Sequence, residues 1–315
     1  CTAPRCPWPQ ASRSADDESP PAKAHGAMLS ASRCLRRATP GGASWAALRQ
    51  FSDGATVRST AASGSTVYES GRAVEEYLHF HYAPREHMLP YKFGPTEALD
   101  FPARMAAIAA AHSRSDRRSV AYDVGCAVGR GTFEMTKTFD KVVGIDFSHA
   151  FIAAAQRLQE LGSVEFEATE QALVRTPLVA RLPEGANTAR AEFRQGDACN
   201  LGDIGAVDCI TAVNLLCRLP EPQAFLQKSI DCIRPGGILV LVSPFSWLEE
   251  YTPQDKWLGG KVDASGAVLD SHTAVSSILG PFFELEARTD EAFLLREHAR
   301  KFQWGVSDAC VWRRK

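Results

Sequence analysis

No stretch of the 315 residues approaches the run of about 18 apolar side chains that a membrane-spanning helix needs, so no membrane partner is expected. Nor is there an excess of charge of either sign. The 35 Lys and Arg stand against 37 Asp and Glu, a formal net charge of −2. That removes any global attraction to nucleic acid or anionic lipid. The nine cysteines form no Cys-x-x-Cys pair and no Cys/His cluster at zinc spacing, so no metal is expected. An odd number of scattered cysteines, with Cys209 and Cys310 inside apolar runs, reads as reduced thiols in an intracellular compartment. No internal repeat is visible.

What charge there is lies unevenly. Residues 1–66 carry 8 Lys/Arg against 4 Asp/Glu and are rich in Ala, Ser, Arg, Pro and Gly. Little aliphatic periodicity runs through them, so a disordered tail is expected, followed by one domain over 67–315. A basic, Ser- and Ala-rich tail suits a plastid or mitochondrial transit peptide; a meaningless tail or a fragmentary upstream reading fits equally, because the chain starts with Cys1. Without a transit peptide, the expected location is cytoplasmic.

From Val67 onward helical stretches alternate with short apolar runs. GRAVEEYLHFHY (71–82) has helical spacing, and PTEALDFPARMAAIAAAH (95–112) does too, with Thr96 as a candidate cap and Pro102 expected to break or kink it. Five strand candidates follow: SVAYDV (119–124), KVVGID (141–146), AEFRQG (191–196), VDCITAV (207–213) and GILVLVS (237–243). Helical runs at 149–162 and 221–233 separate some of them, which means βαβ crossovers and a parallel sheet covered on both faces. The end differs: FFELEARTDEAFLLRE (282–297) and GVSDACVWRR (305–314) read as two strands with no long helix between them. A mostly parallel seven-stranded α/β sheet ending in an antiparallel hairpin resembles the Rossmann-like fold of class I S-adenosylmethionine-dependent methyltransferases.

The stretch AYDVGCAVGRGTFEM (121–135) runs from strand to glycine turn to helix. A dinucleotide fingerprint needs glycine at 125, 127 and 130, where this chain has Gly125, Ala127 and Arg130, so the pyrophosphate cradle is absent. What remains, Asp-x-Gly-x-x-x-Gly, resembles the first methyltransferase motif, with Ala127 where a middle glycine is common. The resemblance implies that Gly125 and Gly129 let the backbone approach S-adenosylmethionine and that Asp123 lies near its amino group. A carboxylate at Asp146, ending the second strand, can accept both ribose hydroxyls, or it can cap the helix that Ser148 begins. Asp197 falls where the family bonds the adenine amino group, and IRPGG (233–237) is the family's structural turn into the fifth strand. Each signal is weak alone; the four together, in order at strand ends, point to S-adenosylmethionine.

Two strand ends remain: NLLCRLP (214–220) and SPFSWLEEYTP (243–253). Asn214 stands nearest the methyl donor or merely satisfies its own loop; Arg218 serves substrate or a surface ion pair. Asn214 is followed by Leu-Leu-Cys, not the Pro-Pro-Tyr of base-flipping enzymes, so nucleic acid is not expected as substrate. Four segments resemble the C-terminal methyltransferase domain of the ovothiol-biosynthesis enzyme, a 4-mercaptohistidine N-methyltransferase: YESGRAVEEYLHFHY…LPYKFGP (68–95), DVGCAVGRGTFE (123–134), NLLCRLP…SPFSWLEEYTP…KWLGG (214–260) and LLREHARKFQWGVSDACVWRR (294–314). The full enzyme also carries an iron-dependent sulfoxide synthase, for which residues 1–66 are too short. The resemblance therefore implies only methylation of a thiol-histidine ring nitrogen to ovothiol A, with a separate sulfoxide synthase as partner. The alternatives are a methyltransferase for another small amine, thiol or phenol, and a non-catalytic, cofactor-binding partner of that synthase.

Methylating an imidazole nitrogen releases a ring proton, so a His or carboxylate should face the acceptor. The candidates are His79 and His81, Glu249 and Glu250, and Glu297 and His298; His81 shares a face with Val74, Tyr77 and Leu78, so a buried structural histidine is its favoured reading. His79 is expected to point elsewhere, into solvent. Arg296 fits an amino-acid carboxylate or a surface charge, and Glu250, like Glu249, fits a substrate ammonium or a solvated helix start. Among Trp247, Tyr251, Trp257, Phe302 and Trp304, one or two should stack on the ring, with Trp247 the candidate; Tyr91 and Phe93 are expected as a lid over the cofactor. On this reading SPFSWLEEYTP is a wall of the acceptor pocket.

Overall fold

Why the chain turns where it does is settled largely by short side chains at helix ends. The computed structural model describes residues 65–315, so the expectations for the N-terminal tail fall, its last two residues apart, outside the described residues. Helix α1, Gly71–Tyr82, starts where the Ser70 hydroxyl accepts the Ala73 N–H at 3.1 Å. A single turn, α2, Arg85–Met88, follows. In α3, Phe101–His112, Pro102 occupies the first turn, where its missing N–H is no loss; the proline opens this helix and does not kink it.

The α/β part then runs β1, Val120–Val124; α4, Arg130–Met135; β2, Lys141–Asp146; α5, His149–Leu161; and, after an inserted hairpin, β5, Ala191–Gln195. The hairpin is β3, Ser163–Gln171, and β4, Val174–Arg181. It was not anticipated, although the alternation that buries Val164, Phe166 and Ala168 is the period-two signal of a strand. Next come β6, Val207–Val213; α6, Pro222–Cys232; and β7, Ile233–Ser243. Two short strands, β8 (Lys261–Val262) and β9 (Val268–Leu269), lead to α7, Ser271–Leu279, and then to β10, Phe283–His298, and β11, Lys301–Arg314.

The main sheet has seven strands in the order β10-β11-β7-β6-β1-β2-β5. The five from β5 to β7 pair in parallel, and β11 enters antiparallel beside β7. This is the class I methyltransferase architecture expected from the alternation of elements. Because β1 is followed by β2 on one side while β6 returns on the other, the sheet has its switch point at the carboxyl ends of β1 and β6, where a crevice opens for ligand. Buried aliphatic and aromatic clusters fill both faces of the sheet.

One buried acid anchors the amino end of the central strand. Asp208, 2% exposed, accepts the Ser119 and Val120 N–H groups at 2.9 and 3.0 Å and the Arg234 guanidinium at 2.9 Å. Asp208→Ala strips two backbone donors and a cation of their acceptor and is expected to cost about 2–4 kcal/mol in urea unfolding. A change below about 0.5 kcal/mol would show that water replaces the carboxylate without loss.

Candidate active site

At the switch point the chain leaves β1 through Gly125-Cys126-Ala127-Val128-Gly129. Gly125 and Gly129 take φ of 78° and 87°, and a Cβ on Gly129 would lie 2.8 Å from the Phe193 ring, so glycine is required there on both counts. Ala127 also adopts a left-handed φ, 47°, which explains why glycine is common at this position. The turn is tied to β2 by Gly125 and Cys126 N–H bonds to the Ile145 carbonyl at 2.7 and 3.0 Å.

Asp146 holds the centre. Its Oδ2 accepts the Ala127 N–H and its Oδ1 the Ser148 N–H, both at 2.9 Å. It thus joins the glycine turn to the start of α5, while Ser148 itself caps that helix through Phe151 N–H. Both readings of Asp146 hold in part: it supports the helix start and lines the cavity. Burial pushes its carboxyl up to about 6, against the two amide bonds that pull it down. Asp123 is more enclosed. Its oxygens accept the hydroxyls of Thr132 and Thr211 at 2.8 and 2.9 Å, and burial raises its pKa.

Around these strand ends lies a cavity of about 370 Å³, within the range of small-molecule sites. Asp123, Gly125, Asp146, Asp197, Asn214 and Arg218, expected to hold cofactor or substrate, all line it. Gly129 shapes the turn from behind and is not a lining residue. Asp197 is exposed and accepts the Cys199 N–H at 2.8 Å. Asn214 takes a φ of 53° and is fixed through its side-chain oxygen, which accepts the Ser307 hydroxyl at 2.7 Å. Among the described residues Arg218 has no ion-pair partner. It donates to the Ser246 carbonyl at 2.7 Å and lies 4.7 Å over the Tyr251 ring.

The helical wall of the cavity was read less well. Tyr68, Tyr77 and Phe151 pack on one another with ring centroids 4.7–6.0 Å apart. Glu69 pins this corner by accepting the His149 and Ala150 N–H groups at the start of α5. An N-terminal segment does cover the cavity, as expected, but through Tyr68 and Tyr77. Tyr91 instead bonds the Ala299 carbonyl at 2.9 Å and stacks on Phe93, outside the lining. His81, read as structural, is a lining residue; its Nδ1 is buried without a partner, and burial, with Arg130 nearby, lowers its pKa to about 3.

The other expected site residues lie elsewhere. His79 is not solvated but 3% exposed, with its Nε2 2.8 Å from His87 Nδ1, and burial lowers its pKa to about 3. His87 Nε2 meets Glu170 Oε1 at 2.9 Å, and Arg296, 7% exposed, donates to Glu170 and to the His87 carbonyl. This closed network ties α1 and α2 to the unforeseen hairpin. Its partner, Glu170, sits on β3, which is why sequence spacing gave Arg296 to a substrate carboxylate. Glu297 pairs with Lys301 at 2.7 Å on the same side of the molecule. Trp247 is buried and donates to the Ser271 hydroxyl at 2.9 Å, so it packs in the core and is no ring platform. Glu249 and Glu250 are exposed and absent from the lining. The loop 243–253 therefore backs the cavity wall: Thr252 donates to the Leu219 carbonyl at 2.6 Å, and the Tyr251 ring lies under Arg218.

Residues 122–239, from β1 into β7, match the family model described as "Methyltransferase domain". No curated protein matches the chain. Among solved structures, the magnesium protoporphyrin IX methyltransferase of Synechocystis PCC 6803, with S-adenosylhomocysteine bound, is 16% identical; the match covers 79% of this chain and 97% of that one, with a TM-score of 0.49. The N-methyltransferase NodS of Bradyrhizobium japonicum WM9 is 15% identical over 76% of this chain and 98% of its own, with a TM-score of 0.42. At these scores the likenesses bear no weight for substrate. The domain match, the sheet order and the cavity support an S-adenosylmethionine-dependent methyltransferase, with S-adenosylmethionine as cofactor. The residues fit it: a carboxylate without a cationic partner, beside a glycine turn, suits a ribose diol.

Three outcomes follow. Asp146→Asn, which keeps one acceptor oxygen, should weaken S-adenosylhomocysteine binding by about 10-fold in calorimetry, and Asp146→Ala by about 100-fold. As pH falls through the Asp146 pKa of about 6, affinity should drop, because the protonated carboxyl loses one acceptor; unchanged affinity at pH 5 would remove Asp146 from the site. Arg296→Ala should cost about 3 kcal/mol of stability by leaving Glu170 without its cation, with cofactor affinity intact. Weakened cofactor binding in a variant of unchanged stability would return Arg296 to the site.

Proposed function

We propose that this chain methylates an imidazole ring nitrogen of 4-mercaptohistidine, giving ovothiol A. The observation that carries the reading is the pairing of aromatic walls with His81 in one cavity. α1 and α3 contribute Tyr77, His81, Phe101, Pro102, Met105 and Ala106 to the lining, and His81 and Tyr77 are the titratable groups among these six. A flat heterocycle suits such a wall, since rings stack and little charge needs compensation. Arg218, the one cation among the lining residues, is the candidate partner for the amino-acid carboxylate. The resemblance of residues 68–95, 214–260 and 294–314 to the ovothiol methyltransferase domain supports the same acceptor.

Bound here, S-adenosylmethionine supplies an electrophilic methyl group for in-line displacement by the ring nitrogen. The chain's own work is alignment and exclusion of water, to which Tyr68, Tyr77 and Phe151 contribute as a cover. The ring proton leaves the acceptor, and His81 is the group placed to accept it. Its low pKa marks a neutral imidazole at physiological pH, able to accept a hydrogen bond, and a negatively charged acceptor beside it would raise that pKa. The thiol-histidine would come from a separate sulfoxide synthase.

The test uses labelled S-adenosylmethionine with 4-mercaptohistidine, histidine and simple thiols. Methyl transfer to 4-mercaptohistidine at least 10-fold faster than to histidine is expected. His81→Gln should lower kcat by about 100-fold at little change in cofactor affinity. Turnover of another acceptor, with none of 4-mercaptohistidine, would overturn the acceptor while leaving methyl transfer in place. An unchanged kcat in His81→Gln would remove the proton-accepting role.

A further inference from the structure

Spacing along the chain shows no metal ligands, but folding brings three potential ligands together on the far side of the β7–β11 pairing. His272, in the first turn of α7, faces Asp308 and Cys310, which lie two residues apart and thus on one face of β11. Each offers one ligand atom within 4.8 Å of the others. His272 Nδ1 is 3.2 Å from Asp308 Oδ2 and 3.7 Å from Cys310 Sγ, and Cys310 Sγ is 3.5 Å from Asp308 Oδ1. Ligand atoms bound tetrahedrally at about 2.0–2.3 Å lie about 3.3–3.6 Å apart, so these donors already stand near the required spacing.

A second observation points into the same space. Asp308 Oδ2 is buried and accepts no hydrogen bond, although His272 Nδ1 is so close. A buried carboxylate oxygen without a donor is costly, and a cation at the centre of the three groups would satisfy it. The outer partners of such a site are also present. Arg288 Nε holds the other oxygen, Oδ1, at 2.8 Å, and Ser276 Oγ stands 3.4 Å from the second ring nitrogen of His272. The Trp312 ring lies beside the imidazole, its centroid 6.5 Å away and its plane inclined by 28°.

We propose that His272, Asp308 and Cys310 bind a zinc-type divalent metal ion that pins α7 to β11. Imidazole, thiolate and carboxylate at this spacing suit zinc, and the hard, six- to eight-coordinate ions that prefer oxygen donors do not fit. The step balances simply: the cysteine thiol loses its proton to solvent as the sulfur–metal bond forms, and water completes the coordination. With side chains 19% and 12% exposed, His272 and Asp308 leave solvent a path to the site. The role is structural. Ser271, beside His272, holds Trp247, and Ser307, beside Asp308, holds Asn214 on the cavity wall. Fixing α7 to β11 therefore steadies both loops that frame the acceptor side.

The full chain, stripped with chelator, should take up one zinc ion, measured by elemental analysis after dialysis. Cobalt in its place should give a thiolate-to-cobalt charge-transfer band and the strong visible bands of four-coordination. Cys310→Ser should abolish the charge-transfer band, and His272→Gln should weaken binding at least 10-fold; zinc should raise the melting temperature of the wild type and of neither variant. His272 lies at a partly exposed helix start, so His272→Gln decides the matter if Cys310→Ser fails to fold. The proposal is overturned if the wild type binds no ion, if its cobalt complex lacks the thiolate band, or if His272→Gln binds with unchanged affinity and spectrum. None of these readouts depends on methyl transfer.

Discussion

A carboxylate enclosed without a cation is the constraint on which the site depends. Asp146 could be relieved by a neighbouring Lys or Arg, yet its partners are two backbone amides, from Ala127 and Ser148. Those two bonds fix the glycine turn relative to the start of α5, and Ala127 is held in a left-handed conformation that few residues would choose. The raised pKa of Asp146 reflects this burial. Its remaining acceptor capacity faces the cavity, where hydroxyl donors of a bound ribose would complete its shell. If the ribose binds there as expected, cofactor binding and local architecture meet in one side chain.

How much could be read in advance follows from how far apart the partners lie in sequence. α1 matches the expected 71–82 residue for residue, and β2 and β6 match their expected runs, because periodicity and caps are local. Asp123, Gly125 and Asp146 were legible for the same reason: a strand followed by a turn places them without reference to anything remote. His79 and Arg296 were not. Their positions depend on Glu170, which sits on a hairpin whose alternation of buried Val164, Phe166 and Ala168 with exposed or half-exposed neighbours was passed over. His81 failed in the opposite direction. The helical face it shares with Tyr77 does face inward, but what lies inside is a cavity and not solid core.

The loop 243–253 shows how a segment can matter to a pocket without touching what the pocket holds. Its aromatic and acidic residues invite a reading as substrate contacts. Trp247 is spent on the Ser271 hydroxyl, Thr252 on the Leu219 carbonyl and Ser246 on Arg218. Each of these bonds restrains the loop after β6 or the helix behind it, so 243–253 acts as a buttress. Arg218 gains most. Held by the Ser246 carbonyl and the Tyr251 ring, it keeps its cation at the cavity edge with little rotational freedom left to lose on binding.

The distribution of charge then bears on the direction of the reaction. Asp123 is buried and Asp146 half-buried in the cavity lining, Asp197 lines it from an exposed position, and Arg218 is the one Lys or Arg among the described lining residues. Acidic groups that are buried and not internally neutralised favour a cationic ligand over a neutral one of the same shape. A sulfonium donor carries such a charge and its demethylated product does not. The same residues that draw the donor in therefore hold the product less firmly, and the low-dielectric cavity enlarges the difference. Where the acceptor is proposed to lie, α1 and α3 present rings, aliphatic carbons and a neutral imidazole, which offer no competing attraction for a positive charge. On the proposed placement the cavity would be polar around the donor's charge and apolar around the acceptor, and that asymmetry would orient one ligand against the other.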